Sequence, residues 1–319
     1  MAVGIFSMKT LFVEQKSTEL RYERACLLIY REGKRVGSVP LVQLERIVVA
    51  PHVTLSAGVL GLVAEKEVAL LVINHRYPER SAILSGTSKT DVRRRVHQYQ
   101  YLQDEALRLH WAVQLIRLKT LRQIRSLHAI RRHRPEYRHV LTQAISALEY
   151  FLPGLTQEDI ISLTTLRGKE GAAAAAYFKA YTQVFAPDLQ FLGRNRRPPR
   201  DPVNVCLSLA YTLYYHESVN ALKAAGLDPA LGCYHEIYYS RQSLACDLLE
   251  PLRPLIDAWV YALFNGHVLR LEDFVMEESS CVLQHAGKQR FYEAFRQAVL
   301  PLRRLLRRYA YVAAQVIDA

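Results

Sequence analysis

Little in this 319-residue chain is acidic: 30 Asp and Glu stand against 42 Lys and Arg, a formal charge of 42 − 30 = +12. An excess of that size makes an acidic polymer the first partner to test. Glycine and proline are scarce too, at 14 and 13 residues, and with 50% hydrophobic content this excludes a collagen-like, low-complexity or disordered chain. The five cysteines (Cys26, Cys206, Cys233, Cys246, Cys281) are odd in number and widely spaced, with no Cys-x-x-Cys pair. A disulfide framework and a zinc ribbon are therefore not expected, and a reducing cytoplasm fits best. Long apolar runs are missing as well. The most apolar stretch, Val59 to Ile73, is interrupted by Glu65, Lys66 and Glu67, too short and too charged to span a bilayer. Met1 to Ser7 lacks the basic region and apolar core of a signal peptide. The expectation is a cytoplasmic protein with no membrane partner, with Met8 as a candidate natural start after a short leader.

Catalytic signatures are also missing. There is no Gly-x-x-x-x-Gly-Lys-Ser/Thr loop, no Gly-x-Gly-x-x-Gly and no Gly-x-Ser-x-Gly, so nucleotide hydrolysis, dinucleotide redox chemistry and α/β-hydrolase chemistry lack support. His216-Glu217 and His235-Glu236 each begin a zincin-like string, but neither has the second His at the required spacing.

What is present divides near residue 88. From Thr10 to Leu84 the pattern is short apolar or β-branched runs. Ala25 to Tyr30 and Lys34 to Pro40 flank a turn in which Gly33 takes positive φ. Arg46 to Ala50 and Val68 to Ile73 read as buried strands, with a short helix between them from about Ser56 to Ala64. From Thr90 onward apolar residues recur three and four apart, through Val96, Tyr99, Leu102, Leu107, Trp111 and Leu115, and helical patterns continue almost to the end. The breaks fall at Pro135, Pro153, Gly193 to Pro202, Gly226 to Gly232 and Gly266. The fold class is α+β: a β-rich domain at 8–88, then a larger all-α domain at 89–319.

Arg supplies 32 of the 42 basic residues, and its planar fork and weak hydration suit phosphate recognition. Arg93 to Arg138 holds 12 basic and 3 acidic residues, and Lys288 to Arg308 holds 7 and 1. In the second run Arg303, Arg304, Arg307 and Arg308 take one flank of a helix while Val299, Leu302, Leu305 and Leu306 take the other. Either run alone is as readily a solvated face; together, with Tyr99, Tyr101, Trp111 and Tyr137 interleaved in the first, they favour a nucleic-acid surface.

Acids then appear where the chain is otherwise small or apolar. Glu170 lies between Gly168 and Gly171 at the start of a helix whose next turns are bare Ala, a smooth surface that a neighbouring element can approach closely. Complementing the positive end of that helix is the competing structural role. A Gly/Pro-rich entry delivers His235, and a Ser243-capped helix carries Asp247 and Glu250 at i, i+3. Each alone reads as a hydrogen-bonded structural residue. Together they are two charges on an apolar helix near a His, costly to bury unpaired, and a divalent cation resolves that cost. Carboxylate oxygens with one imidazole suit Mg²⁺ or Mn²⁺ better than Zn²⁺. Metal-dependent phosphodiester chemistry on DNA or RNA is the reading these residues support.

At these positions the sequence resembles the CRISPR-associated integrase family, CRISPR-associated protein one, over nearly the whole chain from Met8. The resemblance rests on Met8-Lys9-Thr10-Leu11-Phe12-Val13, the Gly33 hairpin, Ser38 to Leu41 and Arg46 to Val49, then on Leu166 to Phe178, Asp201 to Glu217, Gly226 to His235 and Arg241 to Pro254. It implies metal ligands at Glu170, His235 and Glu250, with Asp247 as a second carboxylate of the catalytic centre. Asn204 and Tyr211 would lie near the active site, with packing as the competing role; apart from the resemblance, Arg241, Arg303 and Arg307 are further substrate-binding candidates. Pro251, after the last ligand, is expected to break the helix. The resemblance further implies a homodimer, its β-domain serving dimerisation and partner contacts, with two dimers bridging the small CRISPR-associated protein two. The reaction it implies joins 3′-hydroxyls of spacer DNA to the leader-repeat of a CRISPR array, with accompanying DNA endonuclease and disintegrase activity. A plain structure-selective nuclease and a non-catalytic nucleic-acid-binding scaffold are the rival readings.

Overall fold

The computed structural model describes all residues except 1–4, 8–9, 75–79, 85–91, 157, 161, 196–197, 240, 278–279 and 319. Met8 and Lys9 of the first motif, the break near residue 88 and the helical onset at Thr90 lie outside the described residues. The chain separates into two compact units, Met1–Lys89 and Thr90–Ala319.

The first unit holds two sheets. One has the order β1-β2-β6-β8-β9 (Ile5–Ser7, Thr10–Val13, Arg46–Val49, Ala69–Val72, Ala82–Leu84), with β2, β6 and β8 parallel. In that register Leu11, Ile47 and Leu70 stand side by side, and α1 (Ala57–Glu65) buries Val59 and Val63 in the same cluster. Both faces of such a parallel strand are covered, which is why these runs are continuously apolar. The second sheet has the order β5-β4-β3-β7 (Lys34–Pro40, Cys26–Arg31, Thr18–Glu23, Thr54–Leu55). Its hairpin turns on Glu32 and Gly33, at φ 50° and 77°, both positive as a two-residue turn between twisted strands requires. The anticipated hairpin, the strands around Arg46 and Val68 and the helix between them are all present.

The second unit is helical: α2 (Val92–Gln103), α3 (Glu105–His133), α4 (Arg138–Phe151), α5 (Leu163–Gln183), α6 (Pro202–Ala224), α7 (Ser243–Leu249), α8 (Arg253–Asn265) and α9 (His285–Asp318). Asp104 separates α2 from α3, its Oδ1 accepting from the N–H groups of Ala106 and Leu107. Helix α6 is buried on nearly every side and starts from an Asp201 cap followed by Pro202, a start signal in which the missing Pro N–H costs nothing. Pro251 interrupts the chain as expected, separating α7 from α8 by a single 3₁₀ turn at Glu250–Leu252.

Three expectations need correction. The helical pattern does not run on unbroken after Gly266: β10 (Phe274–Glu277) and β11 (Ser280–Leu283) form an antiparallel hairpin. Glu170 does not start its helix, because Ser162 caps α5 by accepting from Thr165 N, which places Glu170 in the third turn, outside the reach of helix-end charge. Ser243 does not cap α7; Gln242 holds that position, and the Ser243 hydroxyl donates to Glu236 O instead.

Candidate active site

One cavity of about 620 Å³ in the helical unit collects the carboxylates. Helix α5 contributes Glu170, the 3₁₀ turn after α7 contributes Glu250, and the loop before α7 contributes His235. Between the two carboxylates stands Lys119 of α3, its Nζ 2.5 Å from Glu170 Oε1 and 2.7 Å from Glu250 Oε2. On its other side Glu250 accepts from Arg253 Nε at 2.7 Å. The repulsion anticipated between buried acids is thus relieved by side chains of the protein itself.

These contacts fix the charges. Burial alone would push the Glu250 carboxyl up, but Arg253 and then Lys119 outweigh it and hold it well below the usual carboxylate range. For Lys119 burial works against the ammonium, and Glu250 and Glu170 overcome it, so the group stays charged to higher pH than a free lysine.

His235 is set by Asp247. That carboxylate is fully buried and accepts from the backbone N–H groups of Cys233 (2.6 Å), Tyr234 and His235 (both 3.0 Å). It also lies 2.6 Å from His235 Nδ1. A ring nitrogen facing a carboxylate already engaged as an acceptor carries the hydrogen, which leaves the Nε2 lone pair for the cavity. Nε2 is 3.9 Å from Glu250 Oε1. Asp247 is not among the residues lining the cavity and reaches it through its bond to His235. The same loop is clamped by Arg108 on Cys233 O, Arg167 on Tyr234 O and Glu236, and Arg241 on Glu236 O.

The substrate candidates separate. Tyr211 and Arg241 line the cavity. Asn204 does not: it is wholly buried, donating to Gly193 O and Asp201 Oδ2 and accepting from Arg194 Nη1 and Asn195 N, so it places Arg194, which does line the cavity. Arg303 is not on the exposed flank of α9, because its Nε and Nη2 each reach Glu217 of α6 at 2.8 Å; Arg307 is exposed. Lys119, Arg194, Arg253 and Asp257 were missed by sequence. For Lys119 a signal existed: it falls one turn after Ile116 and one before Gln123, at the edge of the buried stripe of α3.

The donor set suits a hard divalent cation: two carboxylates, an imidazole with Nε2 free, and an ammonium standing between the carboxylates, which shows that the space between them accepts positive charge. Among the described residues no three His, Cys, Asp or Glu side chains stand together at ligand spacing, and Lys119 bonds to both Glu170 and Glu250.

The family described as CRISPR associated protein Cas1 matches residues 11–297. A curated relative, CRISPR-associated endonuclease Cas1 of Thermodesulfovibrio yellowstonii, is 36% identical over 305 residues, covering 94% of each chain. In fold, the chain is similar to a casposase bound to an integration product, with a TM-score of 0.83 at 19% identity, covering 97% of this chain and 90% of that one. It is also similar to a chain of a Cas6-RT-Cas1–Cas2 complex, with a TM-score of 0.82 at 20% identity, covering 100% of this chain and 36% of that one. With the family match spanning most of both units, the chain belongs to the Cas1 family of CRISPR-associated proteins.

Proposed function

We propose that this protein is the integrase of CRISPR adaptation, joining the 3′-hydroxyl ends of spacer DNA to a CRISPR leader-repeat by divalent-metal-dependent transesterification. Family membership supplies the coarser class, a CRISPR adaptation nuclease or integrase. The observation that carries the finer reading is the convergence of Glu170, Glu250 and His235 on one cation-lined cavity. In the reaction the spacer 3′-hydroxyl releases its proton as its oxygen attacks phosphorus, a repeat phosphodiester bond breaks, and the leaving 3′-oxygen takes up a proton, so no net proton is gained or lost. One phosphodiester is exchanged for another, so no covalent protein intermediate is needed.

Glu170, Glu250 and His235 would hold Mg²⁺ or Mn²⁺, which supplies Lewis-acid polarisation of a phosphoryl oxygen. The chain's own residues do the rest. Asp247 keeps His235 oriented, Arg253 keeps Glu250 in place and charged, and Arg194 and Arg253 bring positive charge to the cavity wall against the charge that develops on phosphorus. The open surface at Gly168 and Gly171 gives a duplex room to approach Glu170. Duplex DNA and the small partner Cas2 are the proposed partners, in keeping with the neighbours named as a casposase with its integration product and as a Cas1–Cas2 complex. The proposed assembly is a homodimer, two of which bridge Cas2, with the first unit at the partner contacts. No described helix is long and apolar enough to cross a membrane.

The test is strand transfer of a labelled duplex with free 3′-hydroxyls into a supercoiled plasmid bearing leader and repeat, with and without Cas2. Joined product that vanishes with chelator and in His235→Ala is the expected result. Cleavage without joining would make the protein a structure-selective nuclease, and binding without either product would make it a scaffold.

A further inference from the structure

Asp257 of α8 is a buried carboxylate at the wall of the same cavity, 1% exposed, and the chemistry above does not use it. Its Oδ1 accepts a short hydrogen bond from the Tyr211 hydroxyl of α6. Tyr181 of α5 donates to its backbone oxygen at 2.7 Å, and Tyr177 of α5 adds a second phenol beside it. The positive groups near it are Arg194, from the segment before α6, and Arg253, from its own helix.

Both guanidinium groups lie on the Tyr211 ring, Arg253 at 4.8 Å and Arg194 at 5.3 Å from its centroid. Arg253 also donates to the proposed ligand Glu250 at 2.7 Å, and Arg194 is held by Asn204 and by Ser208. Tyr211 is thus the common support of two cations that face the cavity. A phenol that donates to a carboxylate gains electron density in its ring, which strengthens its attraction for a cation above it. An uncharged acceptor at position 257 would hold the hydroxyl more weakly and give the ring less density. Purely for packing, a buried carboxylate is a poor choice, because desolvation works against its charge.

Resting on the integrase reading, we propose that Asp257 is a positioning residue for strand transfer: by holding the Tyr211 hydroxyl it fixes the ring on which Arg194 and Arg253 lie, and so sets where those groups meet a phosphate. Asp257 touches no substrate itself. Burial, partly offset by Tyr211, Arg194 and Arg253, raises its carboxyl to about 6, so the hold on Tyr211 weakens as pH falls through that value.

The test has a spectroscopic arm and a kinetic arm. With ¹³Cζ-labelled tyrosine in the metal-free protein, the Tyr211 resonance, assigned by its loss in Tyr211→Phe, shifts between roughly pH 5 and pH 7 in the wild type and is flat in Asp257→Asn. In strand transfer, Asp257→Asn and Tyr211→Phe each lower turnover about tenfold with DNA affinity unchanged, and the double variant falls no further. A Tyr211 resonance that does not titrate, wild-type turnover in either variant, or losses that multiply in the double variant would overturn the proposal. If Asp257→Asn does not fold, Tyr211→Phe still decides through its kinetics. Because the spectra need neither metal nor DNA, a wild type that joins no strands counts against the integrase reading and is told apart from a failed hold on Tyr211.

Discussion

Lys119 carries the sharpest consequence of the site's electrostatics. It bonds to both Glu170 and Glu250, so on the proposed reading a divalent cation and the ammonium compete for the same oxygens. Lys119→Met removes one partner of a nearly buried cluster, and breaking such a pair costs about 3 kcal/mol. The metal-free variant is therefore expected to melt below the wild type. Saturating Mn²⁺ returns about 2.7 kcal/mol at a hundredfold excess over Kd, and the variant gains more from it because no lysine has to be displaced. Thermal melts of both proteins in chelator and in Mn²⁺ check this; equal stabilisation of the two would mean that Lys119 does not compete. The carboxylates themselves were legible in the sequence, since Asp247 and Glu250 at i, i+3 on an apolar helix stand out. Their cation was not, because Lys119 comes from α3, 51 residues before Glu170, inside a basic run that reads as a solvated face.

The loop entering α7 shows how an element can be specified by one residue without a side chain. A Cβ on Gly232 would lie 2.7 Å from Asp247 Oδ2, 2.8 Å from Ser243 Cβ and 2.9 Å from His235 O. Two of these, the Asp247 carboxylate and the His235 oxygen, belong to the pair that sets the imidazole. Gly232→Ala is expected to displace the Asp247–His235 pair, lowering strand joining about a hundredfold through misplacement of roughly 1 Å and stability by about 1–3 kcal/mol through overpacking. DNA affinity, which the proposed function assigns to the Arg surface, is expected to stay near the wild-type value. Paired strand-transfer and binding assays separate these effects, and a joining rate within a few-fold of wild type would show that the loop tolerates the added carbon. At this scale the turns and breaks were legible: Pro251, the Asp201-Pro202 start of α6 and the Gly33 hairpin are local signals with local causes. The β10–β11 hairpin and the true start of α5 escaped. Strand pairing across Phe274 to Leu283 is a short-range contact with no strong turn dipeptide, and the stretch around Gly168 and Gly171 reads as a helix start although a helix already capped at Ser162 runs through it.

At the scale of the whole molecule the charge of +12 is divided between jobs that composition cannot distinguish. Some of it is internal: Arg253 and Lys119 neutralise Glu250, and Arg303 pairs with Glu217, which is 3% exposed. Other charge stands exposed to solvent, as at Arg304, Arg307 and Arg308 on α9. The two kinds part under salt. Removing a single arginine that pairs with a DNA phosphate lowers the slope of log K against log salt by about 0.9. Replacing Arg304, Arg307 and Arg308 by Gln should therefore flatten the slope by up to about 2.7 while leaving the melting temperature unchanged. Arg303→Gln should do the reverse: the slope is kept, but the protein is destabilised by about 3 kcal/mol because the buried Glu217 carboxylate loses both of its bonds to Arg303. DNA binding titrated across a salt series, beside a thermal melt of each variant, decides between them. If Arg303→Gln flattened the slope and left stability intact, the bond to Glu217 would have to open when DNA binds, and the flank would be one continuous phosphate track with all four arginines in it.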